Sequence, residues 1–168
     1  MLVPSVDRFR VRRAVSSDYA AVGQLTLDAY EHAGMIREHD AYAATLLDAP
    51  DRAAKAEVYV VEGSGGLLAT VTLAEPGTPY AEFARPGELE FRMLAVAPTA
   101  QGLGLGTRLV AFCREQAAAR GHHGLVLSVR DINVAALRLY ERLGFQRQPE
   151  RDQEPVPGVI LLVLTQGL

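Results

Sequence analysis

The chain has 168 residues, of which 49% are hydrophobic and 22% charged, and its formal net charge is −3. Length and composition predict a single globular domain over 1–168, and the mildly acidic balance argues against general nucleic-acid binding. The lone cysteine, Cys113, excludes an internal disulfide and favours a reducing, cytoplasmic location. The N-terminus has no signal-peptide pattern and no apolar run approaches the ~18 residues of a membrane span, so we expect no membrane association.

The first half of the chain predicts one strand, two helices and a hairpin. Runs of β-branched residues indicate strands, capping residues and glycines mark helix ends, and a Gly/Ser turn joins the hairpin. The predicted elements are a strand over 9–15, a helix from 18 to 34, a helix over 40–47 that ends before Pro50, and a hairpin over 57–74. A loop rich in proline and glycine follows over 74–86.

The second half alternates strands with helices. A strand over 87–97 ends at Pro98, a helix follows over 104–120, and a buried strand over 124–129 leads into a helix over 133–143. Two strands, beginning near 145 and 158, complete the chain. A meander followed by alternating elements predicts a mixed α/β or α+β class.

A glycine-rich turn, QGLGLGT over 101–107, joins the strand that ends at Pro98 to the next helix. Backbone N–H groups at a helix N-terminus carry partial positive charge, and glycine lets a ligand approach them, so the turn predicts an anion site, most often for phosphate. A P-loop would need Lys-Ser/Thr after its last glycine, and a dinucleotide fingerprint would need a third glycine and a later acidic residue. This turn has neither. A flexible turn without a ligand is the alternative.

Two motifs resemble those of the GCN5-related N-acetyltransferase (GNAT) superfamily. The first, Gln101-x-x-Gly104-x-Gly106 after the strand LAVAP, is similar to the family's pyrophosphate motif, (Arg/Gln)-x-x-Gly-x-(Gly/Ala). The second, NVAALRLYERLGF over 133–145, follows in the expected order, and the resemblance is strong over 88–145. It implies a mixed, mostly antiparallel twisted sheet of six to seven strands, splayed at the acetyl-CoA site and flanked by about four helices.

The resemblance also implies which residues hold acetyl-CoA. Backbone groups of Leu94, Ala95 and Val96 would pair with the pantetheine arm, and the Val96 N–H would face the thioester oxygen. Asn133 would cap its helix and contact the same arm. The pyrophosphate would lie on the turn formed by Gln101, Gly102, Leu103, Gly104, Leu105, Gly106 and Thr107. A core strand that binds nothing is the alternative for 94–96.

Tyr140 follows Asn133 by seven positions, where the family has a tyrosine beside the sulfur of CoA that protonates the departing thiolate. The resemblance therefore implies that Tyr140 binds the cofactor and acts as general acid, which suits a phenol with an ordinary pKa of about 10. The alternative is an aromatic core residue.

Glu90 lies six positions before Val96, where a carboxylate serves as base in some family members, directly or through a water. The alternative is a solvated residue or one that forms an ion pair with Arg92. Strand alternation predicts two faces, one with Glu88, Glu90 and Arg92 and another, assigned to the core, with Leu89, Phe91 and Met93. Ser128 stands where enzymes that acetylate ribosomal-protein N-termini commonly have a glutamate, which weakens that assignment.

The segment after the first helix lines the acceptor pocket in such folds. Its polar and acidic residues here are Tyr30, Glu31, His32, Glu38 and His39. They suit a cationic amine, and a solvated loop is the alternative. We expect Cys113 to be a packed residue rather than a nucleophile, and the spacing of the histidines predicts no metal site.

The resemblance thus implies an enzyme that moves an acetyl group from acetyl-CoA to a primary amine by direct attack. The acceptor, a small molecule or a peptide amine, stays open, and so does a homodimer, which is common in the family. The alternatives are a non-catalytic acyl-CoA-binding regulatory module and an acyltransferase for a longer acyl chain. The presence of both Tyr140 and Glu90 argues against the first.

Overall fold

One open sheet of eight strands, covered by five helices, forms the described part of the protein. The computed structural model describes residues 9–37 and 40–168. The strands are β1 (Val11–Arg13), β2 (Glu57–Gly63), β3 (Gly66–Ala74), β4 (Glu88–Val96), β5 (Gly124–Arg130), β6 (Gln146–Arg147), β7 (Gln153–Val156) and β8 (Val159–Gly167). The helices are α1 (Tyr19–His32), α2 (Tyr42–Leu47), α3 (Ala49–Lys55), α4 (Leu105–Ala119) and α5 (Val134–Arg142).

The strand order is β1-β2-β3-β4-β5-β8-β6, and β7 pairs with β8. Every described pair is antiparallel except β4 with β5, which run parallel. The predicted mixed class and the mostly antiparallel sheet are confirmed. The sheet has more strands than the six to seven expected because β7 forms a hairpin with β8, which the sequence analysis missed.

Consecutive residues of the central strands β3 and β4 are buried, so both faces of the sheet are covered. On one face Leu89 and Phe91 of β4 pack in a cluster with Leu105 of α4. On the other face Val60 of β2 packs with Val22 of α1. Strand β4 is therefore packed on both of its faces.

The structure also contains a helix, α3, that the sequence analysis missed. Asp48 caps it by accepting a hydrogen bond from the Asp51 N–H at 3.1 Å. Pro50 was expected to follow the end of a helix, but it lies in the first turn of α3. Proline is tolerated there because first-turn N–H groups have no intrahelical acceptor. This helix brings Arg52 into the interior, where it is fully buried.

Candidate functional site

The candidate site is an opening between the parallel strands β4 and β5. Their pairing begins at Glu88 with Gly124 and ends at Glu90 with Val126. Beyond that point β4 continues to Val96 and β5 to Arg130 without pairing to each other. The two strands therefore splay apart and leave one backbone edge of β4 without a strand partner.

A bulge in β4 lies within this opening. Met93 has a φ of 52°, the one non-glycine residue with positive φ in the described ranges, and the β3–β4 register shifts between Thr70 and Thr72. A left-handed conformation costs a residue with a side chain roughly 1–2 kcal/mol. The bulge also shows that the predicted face of Met93 was wrong. Met93 does not share the core face of Leu89 and Phe91 but packs in a separate cluster with Ile36 and Tyr80 of the opposite face.

The free edge of β4 presents backbone groups into the opening. The Ala97 N–H donates to the Leu68 carbonyl on β3 at 2.8 Å. Because successive N–H groups point to opposite sides of a strand, the N–H groups of Val96 and Leu94 face away from β3. The Val96 carbonyl also faces this side and accepts a hydrogen bond from the Gln101 amide at 3.3 Å. The strand that the motif predicted to bind therefore has an unpaired edge at the expected residues, and Ala95 pairs with Thr70 on β3.

The glycine turn leads from this edge into α4. Gly102 and Gly104 have φ of 80° and 78°, and a Cβ at either position would meet no atom within 4 Å. The first helical bond of α4 runs from the Arg108 N–H to the Gly104 carbonyl, so the N–H groups of 105–107 have no intrahelical acceptor. Leu105 is buried in the core and Leu103 is half exposed. The turn therefore offers backbone donors, in an open space, to an anion.

Helices α4 and α5 meet closely beside this turn. A Cβ at Gly106 would lie 3.2 Å from a methyl carbon of Leu139, so glycine permits the approach. Asn133 caps α5, and its side chain accepts from the Ala136 N–H at 3.2 Å, as predicted. Thr107 is partly exposed at the start of α4. This packing holds the helix that carries Tyr140 against the glycine turn.

Tyr140 is 7% exposed and packs edge-to-face against two phenylalanines, with ring centroids 5.9 Å from Phe91 and 5.8 Å from Phe145. Burial raises the pKa of its phenol far above the usual value, and the nearby Cys113 thiol raises it further. The hydroxyl therefore stays protonated across neutral pH. These contacts fit both the core role and the acid role that the sequence left open, since they orient the ring while leaving the hydroxyl as a proton donor.

Glu90 lies at the vertex of the splay and is fully buried. Its Oε1 accepts from the N–H groups of Phe83 at 2.6 Å and Ala84 at 2.9 Å, and its Oε2 accepts from the Glu82 N–H at 3.0 Å. Burial raises the pKa of this carboxyl, and the three backbone donors oppose that shift only in part. Glu90 thus anchors the loop that precedes β4, and its catalytic role stays a prediction.

A second carboxylate fixes the same loop. Glu88 is 8% exposed and pairs with Arg151, with distances of 2.9 and 3.0 Å from the two guanidinium nitrogens. Arg151 also donates to the Phe83 carbonyl. Burial opposes ionisation of Glu88, but Arg151 and the Arg85 N–H outweigh it and lower its pKa. The loop over 82–88 is therefore held from both sides at the closed end of the splay.

On the face opposite α4 and α5, three tyrosines and Arg92 line the region beside β4. Arg92 donates to the Tyr80 carbonyl at 3.0 Å and to the Tyr42 hydroxyl at 3.4 Å, and it forms an ion pair with Glu82 at 3.1 Å. Tyr30 and Tyr42 lie with ring centroids 6.5 Å apart. The alternative ion pair of Glu90 with Arg92 is not formed: Glu90 accepts backbone hydrogen bonds and Arg92 pairs with Glu82.

The described part of the segment after α1 is buried in part. Met35 and Ile36 are buried, and Arg130 at the end of β5 donates to the Met35 carbonyl at 3.2 Å. Glu31 and His32 are exposed to solvent, and Glu38 and His39 lie outside the described residues. No sequence motif marks Tyr42 on α2, Arg52 on α3 or Tyr80 in the loop between β3 and β4.

The remaining candidates lie away from this site. Cys113 is fully buried in the core, and burial raises the pKa of its thiol, which agrees with a packed residue. Among residues 9–37 and 40–168, no group of three or more His, Cys, Asp or Glu side chains could hold a metal ion. Within the same ranges no helix is both long and apolar enough to cross a membrane.

Sequence comparison gives one family and several relatives. Residues 19–145 match the model of the acetyltransferase (GNAT) family. An uncharacterized N-acetyltransferase of Schizosaccharomyces pombe is 33% identical over 82 residues, which cover 49% of this chain and 50% of that protein. The mycothiol acetyltransferase of Salinispora tropica is 46% identical over 70 residues, which cover 38% of this chain and 22% of that enzyme. The matches therefore span half or less of these curated relatives.

Structure comparison extends over nearly the whole chain. The fold is similar to that of PaiA N-acetyltransferase of Thermoplasma acidophilum, solved in complex with coenzyme A. The TM-score is 0.75 at 12% identity, and the match covers 95% of this chain and 99% of that one. At this identity the likeness concerns the fold, including the sheet in which the opening lies.

Proposed function

The chain belongs to the acetyltransferase (GNAT) family, and from this premise we propose that it transfers an acetyl group from acetyl-CoA to a primary amine by direct attack. The observation that carries the proposal is the opening between β4 and β5 beside the glycine turn. An extended pantetheine arm fits the unpaired edge of β4 because its amides can pair with backbone groups, as an added strand would. A pyrophosphate fits the turn because the free N–H groups of 105–107 and the helix dipole favour an anion.

The binding residues follow from this fit. Leu94, Ala95 and Val96 would line the pantetheine arm, and Asn133 would contact it from the start of α5. The pyrophosphate-binding turn would be formed by Gln101, Gly102, Leu103, Gly104, Leu105, Gly106 and Thr107. Bound acetyl-CoA supplies an activated thioester, and the chain supplies donors, orientation and proton transfer.

In the proposed reaction the amine nitrogen attacks the thioester carbonyl, the C–N bond forms, and the C–S bond breaks. The Val96 N–H is free to donate to the oxygen on which negative charge develops, so it would stabilise the transition state more than the ground state. Tyr140 would donate its proton to the sulfur as it leaves. Burial raises its pKa, which keeps the phenol protonated at neutral pH and also makes it a weaker acid than an exposed tyrosine.

The amine must lose a proton, and we propose Glu90 as the base that takes it through a water. Direct contact is disfavoured, since the side chain is fully buried and accepts three backbone hydrogen bonds. Oε2 accepts only one of the three and has a remaining lone pair. Burial raises the pKa of the carboxyl, which makes its ionised form a stronger base than an exposed glutamate.

The proposal is tested by incubating the protein with acetyl-CoA and a panel of primary amines, following free CoA thiol and identifying the product by mass spectrometry. We expect amine-dependent thiol release together with an acetylated amine. CoA binding without amine-dependent release would instead indicate a regulatory acyl-CoA-binding module. A parallel series with propionyl- and butyryl-CoA tests acyl-chain preference, and faster turnover of these than of acetyl-CoA would contradict an acetyltransferase.

A further inference from the structure

Arg52, on α3, is a buried cation that this chain satisfies only in part. Its exposed fraction is 0%, and Nη1 donates to the carbonyls of Thr45 at 3.3 Å and Leu46 at 3.2 Å, at the end of α2. Nε and Nη2 are buried without a hydrogen-bond partner. An uncompensated buried charge is strongly unfavourable, so a guanidinium with two free donors is suited to an anion that completes it.

No carboxylate of the described residues hydrogen-bonds to Arg52. The groups with most influence on its charge, apart from burial, are the phenols of Tyr80, Tyr30 and Tyr42 and the second cation, Arg92. The Tyr80 hydroxyl donates instead to Asp51 at 2.7 Å. Arg92 is already paired with Glu82, so Arg52 is the guanidinium of this region that has carbonyl partners alone, and its two free donors favour an anionic group.

This region adjoins the proposed reaction centre. Met93, at the bulge that opens β4, packs in one cluster with Tyr80, and Tyr30 and Tyr42 pack against that cluster. Burial raises the pKa of the Tyr30 phenol, and the Tyr42 and Tyr140 phenols raise it further.

We propose that the acceptor is an amino acid, a primary amine that carries a carboxylate, and that this carboxylate binds the free Nε and Nη2 of Arg52. The inference rests on the proposed acetyl transfer. A guanidinium suits this task because its parallel N–H groups match the two carboxylate oxygens. Arg92 is held by Tyr42, Tyr80 and the carboxylate of Glu82, which leaves Arg52 as the guanidinium that the substrate carboxylate would complete.

The test measures binding of reaction products, so that it does not depend on turnover. The protein, saturated with CoA, is titrated calorimetrically with five matched pairs of an N-acetyl-L-amino acid and its carboxamide, with alanine, leucine, methionine, phenylalanine and glutamate side chains. At least one acid is expected to bind roughly 10- to 100-fold more tightly than its carboxamide, as for a charge-assisted hydrogen-bonded pair. Equal affinity in every pair, or no binding by any acid, would overturn the proposal.

Variants then assign the preference to Arg52. Arg52→Gln is expected to remove the preference for the acid and to leave CoA affinity within about twofold, whereas Arg52→Lys retains the charge and part of the preference. Arg10→Gln, at an exposed arginine, is the matched control for loss of one positive charge and is expected to behave as the unmodified protein. A preference that survives in a folded Arg52→Gln variant would refute the role of this residue. If that variant does not fold, the paired titration of the unmodified protein still shows whether the site prefers a carboxylate.

The two proposals can fail separately. Acetylation of the amino-acid carboxamides as fast as of the free amino acids would overturn the carboxylate assignment and leave acetyl transfer standing. Preferential binding of the acids without amine-dependent release of CoA would support the binding region and contradict the enzyme.

Discussion

Replacement of Glu90 by glutamine distinguishes two roles of this residue, catalytic base and structural anchor of the loop before β4. The glutamine carbonyl can keep the hydrogen bonds from Phe83 and Ala84, but its NH₂ group would then face the Glu82 N–H, donor against donor. Leaving a buried donor unpaired costs about 1–3 kcal/mol. Removal of a buried charge offsets part of this cost, because burial disfavours the ionised carboxyl. We expect Glu90→Gln to fold and to lose about 1–2 kcal/mol of unfolding free energy.

Activity should respond differently from stability. If Glu90 takes the proton of the amine through a water, Glu90→Gln should lower kcat/KM about 100-fold near pH 6, the low end for general base catalysis. The loss should shrink toward pH 9, where more of the amine is already unprotonated. The assay is the ratio of variant to unmodified kcat/KM from pH 6 to 9, with urea unfolding of both proteins. Glu62→Gln, a glutamate whose side chain is 60% exposed, is the control. If this ratio stays constant from pH 6 to 9 while the variant loses stability, Glu90 is not the base and only anchors the loop before β4.

Two further changes test the cofactor site and the loop. Gly104→Glu should lower CoA affinity at least tenfold by calorimetry, because it places a negative charge among the phosphate donors; Gly77→Glu, which has the same positive φ and open space, is the control and should bind CoA normally. Arg151→Gln should cost about 3–5 kcal/mol at pH 7, because it leaves a buried carboxylate unpaired. Since the folded pKa of Glu88 is lowered, this stability is present above the unfolded pKa of about 4.3 and is lost as pH falls through the folded value, so urea midpoints of the two proteins should converge below about pH 4. A difference between the two urea midpoints that stays constant as the pH falls would contradict the ion pair.

The glycine turn could be predicted from sequence because its physics is local. Free N–H groups at a helix N-terminus and positive φ at Gly102 and Gly104 follow from residues adjacent in the chain. The cap at Asn133 is local in the same sense. The strand, the turn and the two flanking helices are therefore found where the motifs predict them.

Features that depend on distant contacts could not be predicted. Alternation placed Met93 with Leu89 and Phe91, but the bulge opposite β3 turns it to the other face, and no residue type announces such a bulge. Arg52 lies between the predicted helix over 40–47 and the predicted hairpin, where the sequence analysis assigned no element. Its burial accompanies helix α3, and its hydrogen bonds to the Thr45 and Leu46 carbonyls are seen only in the structure.

The central claim is that the splayed site transfers an acetyl group with Tyr140 as the proton donor. Tyr140→Phe keeps the ring that packs between Phe91 and Phe145 and removes only the hydroxyl, so folding and CoA binding should survive. The thiol of CoA, with a pKa near that of cysteine at about 8.5, leaves fairly well unaided, so the low end of general acid catalysis applies. Steady-state turnover at saturating amine and CoA affinity by calorimetry are measured side by side. The account predicts a roughly 100-fold loss of kcat with CoA affinity within about twofold, and turnover within about twofold of the unmodified protein would contradict it.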